Sequence, residues 1–158
     1  MTVSYSQQSL LEIAAGLKVS EPANASPLAT GGVNLFTITG GRVIVVALYG
    51  EVTTIIQAQA TTVQLVSTPT TLGSAVNLSS AGLDLTGLEV GGHITLPAVP
   101  AAATALVKGL GGYVNLSAAR LMVPPGVISV NYGAASTGAV AWDLIYVPYD
   151  AAAVVAAV

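Results

Sequence analysis

From Val33 onward the chain alternates apolar and polar positions with a period of two, and most of the apolar members are β-branched. That period belongs to half-buried strands, because successive side chains of a strand point to opposite faces. "NLFTIT" and "RVIVVALYG" flank Gly40-Gly41, a pair able to take the positive φ angles of a primed two-residue hairpin turn. Gly50 interrupts the second run, so a bulge or bend is expected there, with the strand resuming in "EVTTIIQAQATTVQLV". Further strands are predicted at Val63–Ser67, Val76–Leu78, His93–Leu96, Tyr113–Leu116, Gly126–Tyr132 and Ala139–Val147. Between them, "STPTTLGS", "SSAGLDLTG", "VGG", "VPPG" and "GAASTG" supply the Gly, Pro, Ser and Asn of turns.

Many short strands without intervening long helices predict an all-β fold, an antiparallel β-sandwich or jelly-roll-like barrel. The two flanks read as arms. Residues 1–30 form an N-terminal arm in which 7–18, "QQSLLEIAAGLK", has the apolar spacing of a short helix ended by Gly16, followed by the extended linker "VSEPANASPLATGG". Residues 31–148 form the β domain, and 149–158 an apolar tail with no charged residue after Asp150.

Composition changes the picture, since 53% of the 158 residues are apolar and only 7% are charged, against roughly 25% in an ordinary soluble domain. Most of the surface is therefore neutral. The longest apolar runs fall short of the roughly 20 residues a spanning helix needs and are broken by Pro, Thr or Gly; neither a transmembrane segment nor a signal peptide is expected. Lys18, Arg42, Lys108 and Arg120 stand singly, so no basic stripe is offered to nucleic acid. With no cysteine, disulfides, thiolate metal sites and thiol nucleophiles are excluded together.

Candidate chemistry is sparse. His93 is the single histidine, Glu89 is the one acid near it in sequence, and no G-x-S-x-G elbow is present. The seven acids, Glu12, Glu21, Glu51, Asp84, Glu89, Asp143 and Asp150, show no metal-ligand spacing, and "GLGGY" lacks the Lys-Ser/Thr of a phosphate loop. The reading is a protein without catalytic, metal or cofactor-binding residues. In "AWDLIYVPYD", Trp142, Leu144 and Tyr146 share one strand face; that face either fills the core or forms a stacking platform for carbohydrate.

A neutral β protein has little electrostatic repulsion against association, and its strand edges are templates for pairing. Other copies of the chain, or a larger shell, would cover them. The arms supply the subunit-contact candidates Leu10, Leu11, Ile13, Leu17, Val154 and Val155, each of which has packing on its own domain as the alternative.

Two segments, "LFTITGGRVIVVALYGEVTTIIQAQATTVQLVSTPTT" and "VPPGVISVNYGAASTGAVAWDLIYVPYDAAAVVAA", resemble a family of small structural proteins of tailed bacteriophages, of the head decoration, cement or head-fibre type. The likeness rests on Gly40, Gly41, Gly50, Pro124, Gly126, Gly138, Trp142, Tyr146 and Pro148, while Tyr149 stands where that family has Leu. The resemblance implies a capsid decoration protein on the phage head surface, assembled in the host cytoplasm. It implies a homotrimer or other small oligomer with the major capsid protein as partner, and no direct nucleic-acid or membrane contact. The alternatives are a carbohydrate- or receptor-binding module of a head fibre or tail, using Tyr113, Tyr132, Trp142 or Tyr149, and a capsid or tail shell subunit.

Overall fold

In the computed structural model, which describes residues 15–21, 28, 30–57, 59–71, 73–82, 84–97, 105–107 and 120–158, the alternating runs become strands. In chain order they are β1 (Leu17–Glu21), β2 (Gly31–Thr39), β3 (Val43–Thr54), β4 (Val63–Pro69), β5 (Val76–Asn77), β6 (His93–Thr95), β7 (Ala105–Val107), β8 (Leu121–Val123), β9 (Gly126–Tyr132), β10 (Ala139–Pro148) and β11 (Val154–Ala157). They make two sheets in which every pairing is antiparallel. One has the order β1-β10-β3-β6-β7, with β8 also on β3; the other has the order β11-β2-β9-β4-β5. Their inner faces close on one core that includes Phe36, Ile38, Val45, Leu48, Leu65, Ile94, Ile128, Trp142 and Leu144. This is the expected all-β sandwich.

Gly40 and Gly41 do take positive φ angles, 73° and 156°, but they do not close a hairpin. β2 and β3 lie in different sheets. The pair turns a corner between the layers, and the segment joining β10 to β11 makes the same crossing beside it. Because β3 pairs with β10 and β2 with β11, β2–β3 and β10–β11 act as one antiparallel ribbon folded across both sheets. The corner demands glycine: a Cβ on Gly40 would lie 2.0 Å from the Ala152 carbonyl oxygen, and one on Gly41 would lie 2.6 Å from Asp150 Cβ.

Gly50 corrects a second expectation, since β3 runs through it unbroken. The register with β10 slips instead between Ile145 and Tyr146 and between Ala139 and Val140, opposite Val45–Ala47 and Val52–Thr54. The first slip explains why Ala47 and Leu48 are both buried. Gly50 serves close approach: a Cβ there would meet Trp142 Cε3 at 3.0 Å and Val140 Cγ1 at 2.7 Å. The indole lies where that side chain would be.

Both flanks depart from the arm reading where they are described. Of the predicted helix, residues 7–14 lie outside the described residues and Ala15 is helical; Leu17 and Lys18 belong to β1, which continues to Glu21 and pairs with β10, so the helix does not extend to residue 18. The apolar tail is not free either, because Val154–Ala157 adds β11 to β2 and buries Val155 in the core. The predicted strand at Tyr113–Leu116 lies outside the described residues.

Candidate association surface

The six contact candidates divide under the structure. Leu10, Leu11 and Ile13 lie outside the described residues. Leu17 is half-buried and packs against the core, Val155 is within it, and Val154 is exposed on β11. Of these, Val154 is the described side chain free to meet another molecule.

The two sides of the sandwich differ. On one, β1 and β11 approach across the gap between the sheets, and the Tyr146 hydroxyl of the first sheet accepts the Val155 amide of the second at 3.4 Å. That side is drawn shut. On the other, β5 ends one sheet while β8 attaches to the other through Val43–Val45, and an open pocket of about 240 Å3 remains between them. It is lined by Ser67, Pro69, Val76, Asn77, Leu78, Leu121, Met122, Val123 and Pro124. No lining side chain is charged. Strands of two and three residues cannot cover this gap, and Pro69 and Pro124 have no amide hydrogen with which to extend a ladder. Of the lining residues, Val76 is 59% exposed and Met122 50%.

The pocket wall is held by polar contacts behind it. Leu78 and Ser79 amides both donate to the Leu65 carbonyl, at 2.8 and 3.2 Å, and the buried Ser79 hydroxyl accepts the Leu65 amide at 2.9 Å. Thr70 donates its amide to Pro125 at 3.0 Å, tying β4 to the turn after β8. Gly126 allows this closeness, since a Cβ on it would lie 2.2 Å from the Thr68 carbonyl oxygen. Sequence reasoning missed the pocket. "RLMVPPG" carried its signal in Met122, the outward member of an otherwise inward-facing strand.

Charged groups form local pins. At the corner, the Asp150 carboxylate accepts the Arg42 amide at 2.8 Å and its guanidinium at 2.9 and 3.0 Å, while that guanidinium stands 4.6 Å above the Tyr149 ring. These bonds hold the Asp150 carboxyl at about 2, below its ordinary 3.8. A carboxyl lowered on folding contributes stability above its unfolded value and loses it as pH falls through the folded one. Melting temperature should therefore drop between about pH 4 and pH 2, and Asp150→Asn should flatten part of that drop; a profile identical to wild type would dismiss the pin. On the outer face of the first sheet, Lys18 lies 2.9 Å from Asp143, which Ser20 also contacts. Burial alone would raise the Asp143 carboxyl, but hydrogen bonds from Ser20, Lys18 and Tyr49 outweigh it and hold it low.

His93 starts β6 opposite Glu51, and its Nδ1 is buried without a hydrogen-bond partner among the described residues. Among those residues no three His, Asp or Glu side chains are grouped to hold a metal ion, and no helix is long and apolar enough to cross a membrane. Of the four carbohydrate-stacking candidates, Trp142 and Tyr132 are buried, Tyr149 is exposed with Arg42 over its ring, and Tyr113 is outside the described residues. Burial pushes the Tyr132 phenol up, and the indole N–H of Trp142, its partner across the sheets, partly offsets this. No family model, curated protein or solved structure matches the chain.

Proposed function

We propose that this chain is a non-enzymatic virion structural protein, a decoration or cement protein bound to the major capsid protein on a phage head. The observation that carries the reading is the open apolar side of the sandwich, an uncharged pocket with Val76 and Met122 exposed in its lining. An apolar opening on a protein this poor in charge is a surface for contact within an assembly. The two segments resembling phage structural proteins supply β2–β4 and β9–β11, the strands that pair with one another across both sheets. The resemblance thus falls on one folded unit. Burial of Trp142 and Tyr132 favours this reading over a carbohydrate platform, because a buried ring has no face for a sugar.

Such a protein acts mechanically. Contacts of roughly 1,200–2,000 Å2, repeated over a shell, add to the cohesion of capsomers against internal pressure. The test is co-sedimentation of the purified chain with DNA-free heads of the phage that encodes it. Saturable binding and a higher disruption temperature of the decorated heads are expected. A chain left in the supernatant at every concentration overturns the proposal.

A further inference from the structure

We propose that copies of this chain associate head to tail, the outer face of β11 in one copy seating against the pocket between β5 and β8 in the next. This rests on the reading above of the chain as an assembling structural protein.

The exposed large apolar side chains among the described residues are Val76, Val90, Met122, Tyr149, Val154 and Val158. Two of them line the pocket. Two others, Val154 at 53% exposure and Val158 at 63%, belong to the β11 segment. With a period of two, Val154, Ala156 and Val158 share the face opposite the buried Val155. Their neighbours on β2 are Thr39, opposite Val154, and Thr37, opposite Ala156, so the whole patch is small and uncharged.

Size and charge agree. A pocket of about 240 Å3 has room for branched aliphatic side chains, and with no charged side chain on either surface, neither contact strands an ion. Position decides the mode of assembly. β11 and β5 are the opposite ends of the same sheet, so a contact between them joins unlike surfaces. Unlike surfaces repeat by rotation, as a ring where the rotation closes and as an open filament where it does not. The closed side of the sandwich cannot serve as the receiving site, because Tyr146 and β1 already approach β11 there.

Val154→Lys and Val76→Glu test this by light scattering at several concentrations, beside wild type and the double variant. Both positions are exposed, so far-UV circular dichroism and melting temperature should not move. The wild-type chain is expected as a small oligomer of fixed mass and each single variant as a monomer. The double variant should recover the wild-type mass, because the new lysine and glutamate face each other across the contact. A wild-type monomer throughout overturns the inference, as do single variants that keep the oligomer. A double variant that stays monomeric also overturns it, pointing to pairing of like edges. If Val76→Glu leaves the mass unchanged but abolishes binding to heads, the pocket belongs to the capsid protein and the ring is refuted. A monomer that still decorates heads refutes the ring alone, whereas a ring that never binds heads refutes the proposed function alone.

Discussion

Trp142→Ala is expected to remove about 3–5 kcal/mol of stability, a large share of the roughly 5–15 kcal/mol that holds a domain together. The indole is 2% exposed and bridges both layers, lying over Gly50 in its own sheet and facing Tyr132 of the other. Truncation leaves a cavity between the two sheets. Gly50 has no side chain with which to fill the space. In a protein of this size the melting temperature should fall by roughly 6–20 °C. Far-UV circular dichroism is the right probe, since Trp142 is the one tryptophan. Trp142→Phe should recover much of the packing. A loss below about 1 kcal/mol for the alanine variant would mean that the indole is not packed as described.

The second large effect is at the corner. Gly40→Ala is expected to cost about 2–5 kcal/mol, combining backbone strain at positive φ with overpacking. The clash is with a backbone oxygen, 2.0 Å from the added carbon, so no rotamer change relieves it. The 149–153 segment must move, which pulls Asp150 from Arg42 and loosens β11 from β2. Hydrogen exchange should show Val154–Ala157 losing protection before the strands of the first sheet. Gly87→Ala separates the two causes. Gly87 has φ of 77° but no atom within 4 Å of an added Cβ, so it carries the strain alone, about 1 kcal/mol. Equal losses at both positions would show that the corner is not crowded.

These effects mark how far local reasoning reached. Period-two alternation located β4, β9 and β10 closely because it reports one buried face per strand, and it grouped Trp142, Leu144 and Tyr146 on one face of β10, leaving to the structure that this face is the buried one. It did not reveal which sheet a strand joins. Gly40-Gly41 has the conformations a hairpin needs, yet the next strand crosses to the other layer, at a corner where Arg42 meets Asp150 from 108 residues further along the chain. The same limit hid the role of the tail. "AAAVVAAV" carries no alternation of polarity, because its outward residues are also apolar, and an apolar outward face reads as an arm until its pairing with β2 is known. Gly50 was noticed for the right reason, an anomaly inside a strand, and given the wrong cause: the partner it accommodates lies on β10.

The candidate surface was legible as a need rather than a place. Low charge implied something to cover the protein, but the pocket is assembled from β4, β5 and β8, whose segments are far apart in sequence. The residues that carry the phage resemblance have structural duties that the sandwich itself explains: Gly40 and Gly41 at the corner, Gly50 beneath Trp142, Gly126 against Thr68, Gly138 against Thr54. Any chain with this sandwich would need them at the same places.

The measurement closest to the proposed function is therefore a quantitative mass-spectrometric count of this chain in virions purified from the culture that produces it. A structural decoration protein is predicted at many copies per particle, in a fixed ratio to the major capsid protein and retained through density-gradient purification. A chain abundant in the infected-cell lysate but absent from purified particles would contradict the account.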